Sequence, residues 1–445
     1  MDWLTGDAAW TSHDLGIFEY ERRPTVVLRK LESDATLIKD VLEEKDEWEN
    51  WFCDALGTTV MESGLYVILC SRAPPVFDEK DAPVSYVSVT RDTWERITRF
   101  FHVHRGITRS ISREVAFFSS FYEEGKRGKS NISFTARMSS YLPRDLALSL
   151  TYVPSTDSTF AVVYGCNDNQ VQEIERRIQS AGEKTKYPLL MIGLFTELER
   201  DRLVTMIDTL VDGFTLRSDH LESPSWNPAT DMSNEKTQEY LALCLQSQTL
   251  VDHIRAVKRQ LSKLMIEVDE FGNHFASSKG EGNQHGKEKA RRFKKTGSQM
   301  KKRLQDITNE YDDKIDECKM VVENTTLALQ TVYNQIARHD SDLSTKIAQA
   351  NTTISLEMKQ ESAQMRSIAL LTMIYLPSSS VAAIFSMDMF NWNPQEGEVV
   401  SKYIWVFAVF AVGLTTITFF AWHHITSWRG KKSDMDISGL QGKIV

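Results

Sequence analysis

The sequence carries none of the short signatures that announce an enzyme: no Gly-rich phosphate loop, no GxSxG elbow, no HExxH pair and no dinucleotide fingerprint. An enzyme is not indicated, and no cofactor is expected. Cysteine is scarce. Cys53, Cys70, Cys166, Cys244 and Cys318 lie far apart with no CxxC spacing, which argues for reduced thiols and against a zinc cluster or a disulfide framework. A surplus of positive charge is missing too: 52 Lys and Arg stand against 61 Asp and Glu, a net charge of −9, so there is no general nucleic-acid signal. No Lys or Arg precedes Arg22, and the start MDWLTGDAAW has neither the basic end nor the apolar core of a secretory signal. It is also the reverse of an Arg-rich mitochondrial segment, so a mitochondrial location is not expected and the N-terminal domain is expected to stay in the cytosol. Before Ser367 there is no apolar run long enough to cross a bilayer.

From Ser367 to Met387 the chain then carries no formal charge, and at about 1.5 Å per residue a helix there crosses a hydrocarbon core of about 30 Å. A second uncharged run, Tyr403 to Trp422, follows a short polar loop. The two predict a transmembrane hairpin in a lipid bilayer, with helix 1 over about 367–387, an outer loop over 389–402 and helix 2 over 403–422. His423, His424, Arg429, Lys431 and Lys432 follow the second run in a basic tail, 423–445, whereas the loop holds Asp388, Glu396 and Glu398 against one Lys. Positive charge stays inside, so both termini are expected in the cytosol and the loop outside, where Glu396 and Glu398 would attract cations. Plasma membrane is favoured over vacuolar.

Along the first run, Met365, Ile368, Thr372, Leu376, Ser379 and Ala383 fall within roughly 60° of one direction at about 100° per residue. Leu370, Ile374, Val381 and Ile384 lie largely away from it. A stripe of small and hydroxyl residues suits close helix packing, and it equally suits the lining of a pore. Pro377 is expected to kink the helix and removes one backbone donor, so a freed carbonyl needs a hydroxyl, water or a neighbouring helix; Ser378, Ser379 and Ser380 are at hand.

The order Met365-Arg366, Leu370-Leu371-Thr372, Tyr375-Leu376-Pro377, three serines, Ala382-Ala383-Ile384-Phe385 and Ser386-Met387-Asp388 resembles the first transmembrane helix of CorA-type divalent-cation channels. The ungapped likeness covers about 25 residues, and the order of elements extends it loosely to the whole chain. It implies a cytosolic α/β domain, long helices, two spans and a homo-oligomer, a pentamer around the first span. By the same resemblance Met365 and Ile368 match an apolar inner gate, Leu376 and Ser379 match mid-pore positions, and Asp388 matches the Asn of the family's Gly-Met-Asn. Ser386-Met387-Asp388 in place of Gly-Met-Asn is similar to divergent fungal-type members. Because that Asn selects hydrated Mg²⁺, the change bears on selectivity and not on architecture.

Five carboxylates around a mouth, each about 10 Å from the next, would repel by about 1 to 2 kcal/mol per pair at an effective dielectric near 20. Such a ring holds protons or a cation, and Mg²⁺, which sheds water reluctantly, is suited to being bound by Asp388 through its hydration shell. The bland alternative is a surface residue without a role. Zn²⁺ prefers His and Cys, and neither occurs in the span or the loop.

The remainder reads as soluble protein. Gly64–Cys70, Val84–Thr90, Leu146–Val153 and Thr159–Tyr164 are β-rich runs; Arg91–His102, Asp168–Gly182 and Glu197–Phe214 are helical, as is the acidic stretch Asp34–Leu56. An α+β domain over 1–232 is expected, with a boundary in the Pro-containing stretch Ser218–Ser233. A helix pair over 233–325 follows, with a Gly-rich turn over 272–286, and then a stalk helix over 326–388 that continues into the first span. A break near Asn324 is allowed by its cap-forming residues. Lys287–Arg303 holds nine basic residues and one Glu; a docking surface and a face balanced by acidic helices both fit, and the absence of aromatic platforms favours the second. His102 with His104, and His423 with His424, have spacings a metal could use, but a strand face or helix end and the membrane interface account for them.

Together these point to a coiled-coil-containing oligomer that conducts divalent metal ions, Mg²⁺ ahead of Zn²⁺ or other transition-metal ions. The alternative of another class is a non-conducting, membrane-tethered signalling protein on the same plan.

Overall fold

The computed structural model describes residues 9–32, 36–56, 62–75, 81–124, 130–221, 234–277, 284–386 and 404–441. These fall into two units, Met1–Gln335 and Ile336–Val445.

The first unit is built on a seven-stranded mixed sheet of order β3-β2-β4-β9-β8-β7-β6. Its strands are β2 (Thr25–Leu31), β3 (Ile38–Leu42), β4 (Gly64–Ser71), β6 (Phe117–Glu124), β7 (Ser130–Arg137), β8 (Ala147–Val153) and β9 (Ser158–Cys166). Only β4 and β9 run parallel; every other neighbour pair is antiparallel. Every residue of β8 and β9 is buried, as a strand covered on both faces requires, which is why these segments read as near-continuous apolar runs. In β4 the side chains divide by alternation. Leu65, Val67 and Leu69 join one core, with Ile174, Leu203, Ile254 and Ile307 of the long helices, while Tyr66, Ile68 and Cys70 join a second, with Trp48, Trp94 and Phe101. The sheet is thus the middle of three layers.

One outer layer is short helices Lys45–Leu56, Arg91–Phe100 and Gly106–Ile111. The other is Asp168–Ala181, Leu190–Leu221, Asn234–Ser277 and the first half of Gln284–Phe385. The Asp168–Ala181 helix begins on a reciprocal cap: Gln170 N–H donates to Asn167 Oδ1 at 2.9 Å and Asn167 N–H to Gln170 Oε1 at 3.0 Å. Ion pairs tie the long helices together, Arg200 to Glu310 (2.5 Å), Arg303 to Glu197 (2.5 Å), Lys314 to Asp208 (2.8 Å) and Lys301 to Asp269. Part of the basic stretch Lys287–Arg303 is therefore balanced by neighbouring acidic helices.

Several expectations are revised. Within Val84–Thr90 only Tyr86–Val87 forms a strand, β5, parallel to β1 (Glu19–Tyr20). Asp34–Leu56 is not one helix: Ile38–Leu42 pairs with β2, and the helix begins at Lys45. The edge hairpin of β6 and β7 comes from serine-rich segments without a clear apolar run. The Gly-rich turn narrows, because one helix passes through Gly272 to Ser277 and the next starts at Gln284, with 278–283 outside the described residues. No break occurs near Asn324. Thr325 is buried and Thr326 Oγ1 donates back to the Val322 carbonyl at 2.7 Å, so the hydroxyl satisfies its own helix without ending it.

The second unit comprises the remainder of the Gln284–Phe385 helix, from Ile336, and the helix Ile404–Gln441. That last helix continues through the basic residues beyond Trp422.

Candidate functional site

Among the described residues two helices are long and apolar enough to cross a membrane, and only 11% and 6% of their most apolar windows is buried. A core helix of a soluble protein hides such a surface; here lipid or further protein has to cover it. From Lys346 to Ala369 every residue is exposed, including Ile347 (60%), Ile354 (50%) and Met365 (69%).

Within the second unit the two apolar helices meet along one face each. On the first, the least exposed residues are Leu370, Met373, Pro377, Ser378, Val381 and Phe385, at steps of three or four apart from Ser378 beside Pro377. On the second they are Val406, Phe407, Ala411, Thr415, Thr418 and Trp422. The Phe385 ring packs against Phe407 at 5.9 Å and Phe410 at 6.3 Å between centroids. At about 100° per residue, the packed line on the first helix is centred roughly 180° from the stripe formed by Met365, Ile368, Thr372, Leu376, Ser379 and Ala383. All six stripe residues are exposed, as is Ser386, whose amide closes the helix on the Ala382 carbonyl at 2.9 Å. Met387, Asp388, Glu396 and Glu398 lie outside the described residues.

The three serines after Pro377 do not serve the carbonyl that the proline frees, that of Met373. Ser378 donates to the Ile374 and Tyr375 carbonyls, both at 3.0 Å; Ser379 and Ser380 donate to the Leu376 carbonyl at 3.0 and 2.7 Å. Thr372 likewise donates to Ile368 and Ala369, at 3.1 and 2.9 Å. With its proton committed to the backbone, a hydroxyl on the stripe presents oxygen lone pairs outward. Such a surface accepts hydrogen bonds from water, including the shell of a hydrated cation.

The other candidate residues do not converge. His104 Nδ1 accepts a hydrogen bond from the Gly106 amide at 2.9 Å, and its ring stacks on Phe121 at 3.9 Å. Burial, with the Arg105 charge nearby, pushes its pKa down to about 4. His102 sits at φ +49° with its ring edge-on to Phe160 and is also lowered by burial. His423 and His424 are exposed on the last helix. All five cysteines are free, and burial raises the Cys70 thiol to about 11.

A buried ionic cluster was not legible beforehand. Asp145 bridges Arg72 at 2.8 Å and Arg137 at 2.6 Å, and Arg202, paired with Glu199 at 2.8 Å, donates to the Ser139, Leu142 and Pro143 carbonyls at 3.2 Å. All five side chains are less than 10% exposed. They are distributed over one strand, two loops and a helix, so no local pattern marks them.

Fold and spans together define a protein with a large α/β/α domain and two candidate membrane helices. The chain matches no protein-family model and no curated protein. Among solved structures it is similar to the CorA magnesium transporter from Methanocaldococcus jannaschii, at 10% identity over 89% of this chain and 96% of that one, with a TM-score of 0.38. It is also similar to the full-length CmaX protein, at 10% identity over 91% and 98% of the two chains, with a TM-score of 0.41.

Proposed function

We propose that this chain assembles with copies of itself into a channel or transporter for divalent cations, Mg²⁺ above all, with the first apolar helix lining the pore. The observation that carries the reading is the division of that helix into two faces. One face, through Pro377, Val381 and Phe385, is taken by the second helix; the opposite face, Met365 to Ala383, is left bare. A helix that served only as an anchor would need no hydroxyl-bearing stripe on the side facing away from its partner. In an oligomer, copies of that stripe face one another around an axis: Met365 and Ile368 form an apolar constriction that gates by dewetting, and Thr372 and Ser379 offer oxygen to passing ions. Asp388, Glu396 and Glu398 supply negative charge at the outer mouth, with both termini in the cytosol. The lack of His and Cys between Met365 and Lys402 favours Mg²⁺ over Zn²⁺. The continuous helix Gln284–Phe385 gives the soluble domain a mechanical route to the gate, so cation occupancy there biases opening. Uptake of Mg²⁺ into liposomes carrying the purified chain tests the proposal.

A further inference from the structure

A cavity of about 420 Å³ opens in the first unit beside the start of the Gln284–Phe385 helix. Its walls come from the short helical turn Gly182–Lys186, the first turns of the long helix, Glu32 just after β2 and Asp157 in the turn between β8 and β9. Five basic side chains line it, Lys184, Lys186, Lys289, Arg292 and Lys295, with four acidic ones, Glu32, Asp157, Glu183 and Glu288. Three of the acids are already engaged: Glu32 with Lys186 at 2.5 Å, Asp157 with Lys289 at 2.5 Å and Glu288 with Arg292 at 2.7 Å. Glu32 also accepts from Ser63 Oγ at 2.7 Å, and Asp157 from the Tyr152 hydroxyl at 2.8 Å. Among the described residues, Lys184 and Lys295 take part in no ion pair and no side-chain hydrogen bond. The Arg292 guanidinium gives Glu288 one nitrogen and keeps other donors. Thr296 and Gln299, on the next turn, add neutral donors, and Phe293 and Tyr187 close the floor, 5% and 4% exposed.

Five basic against four acidic side chains leave an excess of one positive charge: Glu183, which acts on Arg292, offsets part of the two unpaired lysines and the guanidinium fork, and the remainder is positive on a chain whose net charge is −9. The sign is wrong for a bare divalent cation. The size exceeds that of an inorganic ion and lies in the range of small-molecule sites, about 300–1,000 Å³. We propose that this cavity binds a phosphate-bearing small molecule, its phosphates held by Lys184, Arg292 and Lys295. Ammonium and guanidinium groups together suit phosphate because the first are mobile point charges and the second a planar fork. The inference does not depend on conduction, and its test does not involve flux.

A free metabolite and a lipid headgroup share this chemistry, so the test carries both. The full-length chain in detergent is titrated calorimetrically with ATP, with pyrophosphate and with a short-chain phosphatidylinositol bisphosphate, without divalent cation and at about 150 mM salt to screen diffuse attraction. At least one of the three binds, and Lys295→Glu and Lys184→Glu each weaken it about tenfold or more. Lys294→Glu, the same charge change on an exposed neighbour outside the cavity, leaves binding within about twofold. Preference for the lipid assigns the site to a headgroup, and preference for ATP or pyrophosphate assigns it to a soluble phosphate. Absence of binding by all three, or equal weakening by Lys294→Glu and Lys295→Glu, overturns the proposal; circular dichroism of the variants, expected to match the native chain, separates loss of binding from loss of fold.

Discussion

If Ile368 closes the pore by excluding water, Ile368→Ser raises the closed-state leak by an amount that its exposure fixes. In the single chain 61% of Ile368 is exposed. Burial of a whole isoleucine side chain stabilises by about 1.5–3 kcal/mol, so closing over that fraction contributes about 1–2 kcal/mol per subunit to the closed state. A serine forfeits most of it. At 1.4 kcal/mol per factor of ten, the closed-to-open ratio falls about five- to thirtyfold for each subunit that joins the constriction. The assay is the passive leak of Mg²⁺ from proteoliposomes carrying each variant. Ile374→Ser provides the control: this residue is 55% exposed on the same helix but lies well away from the stripe. A leak that rises with Ile368→Ser and not with Ile374→Ser supports the face assignment. An unchanged leak in Ile368→Ser, or equal leaks in the two variants, refutes it.

Asp145→Asn removes a carboxylate shared by buried Arg72 and Arg137 and leaves Arg137 without its counter-charge and Arg72 with only the more distant Asp81 at 3.8 Å, a loss of about 3–5 kcal/mol. Thermal unfolding of the detergent-solubilised chain is expected to move down by on the order of 10 °C; a shift under about 2 °C contradicts the buried network. His104 titrates at about 4 in the folded chain, against about 6.5 when unfolded. The unfolded chain therefore binds the extra proton between those values. The contribution of His104, up to about 3 kcal/mol, is complete above pH 6.5 and is lost as pH falls toward 4. Denaturant midpoints across pH 4 to 7 measure the slope, and His104→Gln flattens it; an unaltered slope in that variant places the titration elsewhere.

What the sequence made legible follows the physics of each segment. GLYVILC, LALSLTYV and TFAVVY read as strands because they become β4, β8 and β9, the sheet centre, where both faces are buried and polar residues are few. The edge strands β3 and β6, and β7 beside the latter, were opaque because IKDVL, FFSSFYEE and SNISFTAR mix polar and apolar residues, and what makes them strands is the neighbour across the sheet. The long helix was readable from its unbroken apolar step, and at its passage through Asn324 the Thr326 hydroxyl turns onto a carbonyl of its own helix. The stripe could be drawn from spacing alone. Its position opposite the second helix could not, because that depends on which residues Phe407 and Ala411 cover. Neither could the destination of the serine hydroxyls, which serve Ile374, Tyr375 and Leu376 in place of Met373. The lysine-lined cavity was hidden for a related reason. The basic stretch was visible, but which of its charges lacked a partner depended on Asp157, Glu197 and Asp269, remote in sequence.

The most direct measurement is uptake of Mg²⁺ and of Zn²⁺ by liposomes carrying the purified chain, native and with Asp388→Asn. The account predicts Mg²⁺ uptake by the native chain and a changed ratio of Mg²⁺ to Zn²⁺ on substitution, as befits a carboxylate at the selective mouth. No uptake of either ion by protein shown to be folded and oligomeric contradicts conduction and leaves a membrane-tethered protein that does not transport.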